Sequence, residues 1–240
     1  MCEVAAECTT WTAILDEVAH GVLDRASITG PPIDTLDVAR RLKVPVAFDG
    51  AQAERGRYKR IGGRSLILLK PDERPERLQW AIAHELGEAV AHQAFERVGD
   101  NNPRRGARET VANALASRLL LPSRWFAGDV LRLAYDLLSL KSIYRTASHE
   151  LIAMRFLDDS TAGVVTVFDA GRVTRRRAVW PSQPPRLHLL EKSCWNFVHT
   201  KNRPCEQRDE PLLVRGWPIH ESGWKREILW TTTNDEWLDA

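Results

Sequence analysis

Residues 76–88 read Glu-Arg-Leu-Gln-Trp-Ala-Ile-Ala-His84-Glu85-Leu86-Gly87-Glu88. Leu78, Ala81, Ile82, Leu86, Ala89, Val90 and Phe95 recur at three- and four-residue intervals, so Pro75 to Val98 reads as one helix with a broad apolar face. His84 and Glu88 are one turn apart on it and project from the same side, about 5–6 Å apart at Cβ. An imidazole and a carboxylate so placed can ligate one divalent ion. Glu85, the next residue along, cannot easily join them as an inner ligand. It is placed to touch a metal-bound water as general base.

Such a site needs a third protein ligand and an open position for water. Glu109 is the candidate. It heads Glu109-Thr110-Val111-Ala112-Asn113-Ala114-Leu115-Ala116, within a helix read from Arg108 to Leu121 and ended by Pro122. Ala112 and Ala116 form a small-residue stripe that lets this helix approach the first, bringing Glu109 within reach of His84. His92 lies two turns beyond His84 and reads as a hydrogen-bonding neighbour or core histidine rather than a ligand. His149-Glu150 has no matching downstream ligand and reads as helix surface. On its own, a His-Glu-x-x-Glu string also fits a solvated helix face.

Moving outward toward the amino terminus, Ser65 to Leu69 and Val44 to Phe48 are apolar runs of strand length. The Gly-, Arg- and Lys-rich Asp49 to Gly63 between them reads as turn and edge, giving a small antiparallel sheet. Helices are expected over Thr10 to Arg25 and, after the breaker Gly30-Pro31-Pro32, over Asp34 to Leu42. Toward the carboxy terminus, Gly99 to Gly106 is a loop by composition, and helices follow near Asp129 to Leu138 and Ser148 to Leu157. The pattern changes after Asp158-Asp159-Ser160. Gly163 to Phe168 and Arg172 to Val179 read as a hairpin, Pro181 to Pro185 as a linker, Leu187 to His199 as a helix, and Leu212 to His220 and Arg226 to Thr232 as strands. The chain is therefore α+β, with a domain over residues 10–157 and a small α+β module over 158–240.

Charge is nearly balanced, 34 basic against 32 acidic side chains, so no global field points to nucleic acid or a membrane surface. The first residues lack a basic and apolar leader, and no run of about 18 apolar residues spans a bilayer. Cys2, Cys8, Cys194 and Cys205 form no C-x-x-C pair and read as reduced thiols of a cytoplasmic protein. In the carboxy-terminal module the spacing of Cys194, His199 and Cys205 matches no zinc pattern, so these read as buried thiols and a surface histidine. No chemistry is assigned to that module.

Several separate stretches resemble the ImmA/IrrE metallopeptidase family over roughly residues 10–157. Pro32-Ile33-Asp34 with Leu36 to Leu42 is similar to the family's amino-terminal helix. Arg64 to Leu69 is similar to its strand before the metal helix, Glu76 to Gly87 to its run into H-E-x-x-H, and Glu109-x-x-Ala112-Asn113 with Leu119-Leu120-Leu121-Pro122 to its third-ligand helix. The resemblance implies a zincin-like metallopeptidase domain. Its metal would be held by His84, Glu88 and Glu109, with zinc first and manganese as the alternative, and Glu85 would be the general base. It also implies a protein substrate, a helix-turn-helix repressor. The apolar strand Ser65 to Leu69 reads by itself as a surface for strand addition of an extended peptide. Glu88 stands where the family has histidine, which makes the site harder and more negative. Two other readings follow. One is a pseudopeptidase that binds a partner without cleaving it. The other is a DNA-binding regulator built on the helices between Asp129 and Leu157 with the basic runs at 55–60 and 172–177, which near-neutral charge disfavours.

Overall fold

The computed structural model describes residues 2–159, 162–179, 183–221 and 223–233. Chain contacts divide it into two units, residues 1–129 with 142–148, and residues 130–141 with 149–240. No helix among the described residues is long and apolar enough to cross a membrane.

In the first unit the chain runs α1 (Cys2–Arg25), α2 (Thr35–Arg41), β1 (Val46–Phe48), β2 (Gly56–Ile61), β3 (Arg64–Leu69), α3 (Pro75–Arg97) and α4 (Arg105–Leu120). The Asp34 carboxylate caps α2, accepting from the backbone N–H groups of Leu36 and Asp37. Buried Thr35 donates its N–H to Gln79 Oε1 at 2.7 Å, which fastens α2 to the start of α3. Strands β2 and β3 form a hairpin closed by Gly62 and Gly63, both at positive φ (57° and 79°). Two consecutive left-handed residues make the tight turn that suits the strand twist, and only glycine adopts them without strain. The sheet order is β1-β3-β2. It is mixed rather than the expected antiparallel sheet, because β1 pairs parallel with β3. The run from Asp49 to Gly63 that reads as turn and edge contains the edge strand β2.

Val18, Ala19, Val22 and Leu23 of α1 are buried, as are Ala83, Ala91 and Ala94 of α3 and Ala112, Leu115 and Ala116 of α4. The close pass of α3 and α4 is made at Gly87. A Cβ there would lie 2.8 Å from the Ala112 carbonyl oxygen and 3.2 Å from Leu115 Cβ. Because the nearer atom is backbone, it cannot swing away. Gly87→Val is therefore expected to cost about 1–3 kcal/mol by overpacking, read as a lowered urea midpoint. An unchanged midpoint would mean that the helices are not held this tightly.

After α5 (Ser123–Arg132) the expected helix over Asp129 to Leu138 is interrupted, and α6 (Leu137–Ile143) begins afresh. Ala134 and Tyr135 take φ of 48° and 60°, and Asp136 restarts the helix by accepting the Ser139 N–H at 2.8 Å. Apolar spacing continues through the break, so periodicity does not reveal it. Tertiary packing explains it, since Tyr135 stacks on Trp230 (6.0 Å between ring centroids) and meets Phe156 edge-on.

The second unit continues with α7 (His149–Asp159), β4 (Gly163–Asp169), β5 (Arg172–Ala178), α8 (Leu189–Lys201), β6 (Cys205–Asp209), β7 (Leu212–Glu221) and β8 (Trp224–Thr233). Its antiparallel sheet has the order β5-β4-β8-β7-β6. Phe156 of α7 packs on Trp230, while α8 reaches Glu227 and Thr231. Side chains alternate along a strand, so the two helices cover opposite faces of β8. Strand β6 escapes the sequence reading because Cys-Glu-Gln-Arg-Asp at a sheet edge has no apolar alternation to follow. On α8, buried Glu191 accepts from both terminal nitrogens of Arg176 at 2.9 Å, from the Thr231 hydroxyl at 2.7 Å and from the His188 N–H at 2.8 Å.

Candidate metal centre

The buried run Ala81–Ala83 anchors α3 in the core and leaves the following turn at the wall of a cleft of about 780 Å³. His84 is half-buried, Glu85 is buried, and Glu88 is exposed. One donor atom from each of these three lies within 4.8 Å of the others. The close pass at Gly87 brings α4 alongside. Its Glu109 Oε1 lies 3.6 Å from His84 Nε2. The stripe of Ala112 and Ala116, both fully buried, accompanies this approach.

Asn113, one turn after Glu109, holds both groups. Its side-chain oxygen meets His84 Nδ1 at 3.1 Å, and its amide nitrogen donates to Glu109 Oε1 at 3.3 Å. With Nδ1 engaged, His84 presents Nε2 toward Glu109. The sequence contains Asn113 in plain view, but its bridging role emerges only when the two helices are placed together.

Glu85 is gripped from the sheet side. The Tyr58 N–H on β2 donates to its Oε2 at 2.6 Å. Two residues earlier, a Cβ at Gly56 would lie 2.6 Å from Glu85 Oε1, so any side chain there would push the Glu85 carboxylate out of its present place. Burial pushes the Glu85 carboxyl up to about 7, and the neighbouring Glu88 and Glu109 charges add to the rise. His84 and the Tyr58 hydrogen bond pull the other way. A cation at this cluster would reverse the balance by favouring ionised carboxylates.

Two details of the sequence reading change. His92 is exposed, so it takes no core position. Strand β3 is flanked by β1 and β2 and cannot accept an extended peptide along its edge; β2 is the strand beside the cleft. Arg55, Arg57, Arg105 and Arg108 also line this cleft, so the acidic centre has a basic wall.

In fold, the chain is similar to a Mycobacterium tuberculosis transcriptional regulator, with a TM-score of 0.66 at 16% identity over 91% of this chain and 75% of that one. No curated protein matches it. A peptidase family model described as the IrrE N-terminal-like domain matches residues 39–156, the stretch that contains α3, α4 and the side chains of His84, Glu85, Glu88 and Glu109. Residues 39–156 thus match the family of IrrE N-terminal-like domains.

Proposed function

We propose that the chain is a metal-dependent endopeptidase that cleaves a regulatory protein, with His84, Glu88 and Glu109 as metal ligands and Glu85 as general base. The observation that carries this reading is the placement of Glu85. It is a buried carboxylate held by a backbone N–H, with its donor atoms among those of His84 and Glu88.

The donor chemistry fits a divalent ion. One imidazole is oriented through its far nitrogen by Asn113, and carboxylates stand beside it on α3 and α4. Zinc and manganese both accept such a set, and the extra carboxylate at Glu88 moves the preference toward the harder ion. When bound there, a divalent ion supplies Lewis-acid polarisation of a carbonyl and acidification of a water. Glu85 accepts a proton from water and returns it to the leaving amine, in a position where Tyr58 N–H fixes one of its oxygens. The substrate class, a helix-turn-helix repressor, follows from the resemblance to ImmA/IrrE peptidases.

The test is metal content per chain after purification without chelator, combined with cleavage of co-expressed helix-turn-helix repressors followed by mass spectrometry. His84→Ala and Glu109→Ala are each expected to lose one equivalent of zinc or manganese relative to the unaltered chain, and with it all cleavage. Equal metal content in all three proteins would sink the ligand assignment. Full metal without any cleaved repressor would turn the reading to a partner-binding pseudopeptidase.

A further inference from the structure

The second unit contains a group of side chains to which the peptidase reading gives no role. Trp195 and His199 are one turn apart on α8, so both face the sheet. Glu227 on β8 pairs with Pro218 on β7, and His220 lies two residues further along β7, on the same face. The three elements therefore aim His199, His220 and Glu227 at one point. His199 Nδ1 is 2.8 Å and His220 Nε2 is 2.7 Å from the same oxygen, Glu227 Oε1. The other oxygen, Oε2, accepts the Trp195 indole N–H at 3.1 Å. Glu227 is fully buried, while the His199 side chain is 29% exposed.

From this convergence we infer that His199 Nδ1, His220 Nε2 and Glu227 Oε1 form a second divalent-metal site, of a chemistry suited to zinc, in the carboxy-terminal unit. Two imidazoles and a carboxylate are a donor set of zinc centres that keep one coordination position open. One donor atom from each residue lies within 4.8 Å of the others. Tetrahedral ligation with bonds of about 2.0–2.2 Å separates donor atoms by roughly 3.3–3.6 Å. The two short contacts to Glu227, at 2.8 and 2.7 Å, therefore need to open by less than about 1 Å, a motion within reach of side-chain rotation. Trp195 supplies the outer hydrogen bond that fixes a ligating carboxylate, and it is itself pinned by stacking on Phe168 at 5.2 Å between ring centroids. The partly exposed His199 gives the ion a way in from solvent.

The inference is independent of the peptidase reading, and the experiment separates them. The full chain carrying His84→Ala with Glu109→Ala, which disables the first centre, is dialysed against zinc and its metal content measured. It is expected to keep one equivalent of zinc and to melt at a higher temperature with zinc than without. Adding His199→Gln, whose amide still reaches Glu227, or His220→Gln is expected to remove both effects while leaving the zinc-free melting curve close to its parent. Cobalt in place of zinc should give the visible bands of a four-coordinate ion in the parent, absent after His199→Gln. A parent that holds no zinc would overturn the inference, as would zinc that persists in both histidine variants. Neither result depends on whether the first centre binds metal or cleaves peptides.

Discussion

Glu85→Gln is expected to lower repressor cleavage by about 10²–10⁴-fold, the usual worth of a positioned general base, while His84, Glu88 and Glu109 still hold their metal. The amide keeps the shape of the side chain and can still accept from Tyr58 N–H, so the loss isolates proton transfer. Retained cleavage with retained metal would remove Glu85 from the mechanism. The same substitution has an opposite effect on stability. Glu85 has an ordinary value of 4.5 and is pushed up to about 7 in the folded, metal-free chain. A carboxyl with a raised folded value binds its proton more tightly when folded. Its contribution is complete below 4.5 and is lost as pH rises through 7. At about 1.4 kcal/mol per pH unit, the loss approaches roughly 3 kcal/mol by pH 8. Urea unfolding of chelator-treated protein at pH 5 and pH 8 should show this decline in the unaltered chain and a much flatter response in Glu85→Gln. Identical pH responses would show that Glu85 is not held neutral by burial.

Glu191→Ala is expected to cost about 3–5 kcal/mol, because it leaves Arg176 without a counter-charge in a nearly solvent-free position. It also removes the acceptor for the Thr231 hydroxyl and the His188 N–H, and with it half of the capping box at the start of α8. The paired change Arg176→Met with Glu191→Leu removes both charges at once, so it should unfold at a higher urea concentration than Glu191→Ala alone. Urea denaturation followed by circular dichroism reads both. A loss below about 1 kcal/mol for Glu191→Ala would mean that water replaces the missing carboxylate.

The two side-chain clusters differ in charge and in surroundings. The first centre places three carboxylates beside one imidazole and is faced by Arg55, Arg57, Arg105 and Arg108. Negative charge at the centre favours a cation there. The second cluster inverts the ratio, with two imidazoles to one carboxylate, and is walled by aromatic rings.

Much of the first centre is written in local spacing. His84 and Glu88 share a helix face because four residues nearly complete a turn, and Glu85 follows from the same geometry. The α3 and α4 helices, the Gly62-Gly63 turn and the strands β4, β5, β7 and β8 likewise rest on periodicities and on residues whose backbone preferences act within a few positions. What local spacing cannot carry is any group assembled across the chain. Asn113 becomes the brace for His84 only because Gly87 lets α4 approach α3. Glu85 acquires its raised value through burial in the packed chain, where the strand at Gly56 and Tyr58 lies against it. The break at Ala134 and Tyr135 answers to Trp230, far along the chain. His199, His220 and Glu227 sit 21 and 7 residues apart, intervals that match no ligand pattern until the α8–β7–β8 packing folds them onto one carboxylate oxygen. The sequence by itself determined the helical face that groups His84, Glu85 and Glu88. The tertiary structure decided which distant side chains tune it, because burial and close approach are properties of the packed chain and not of any segment of it.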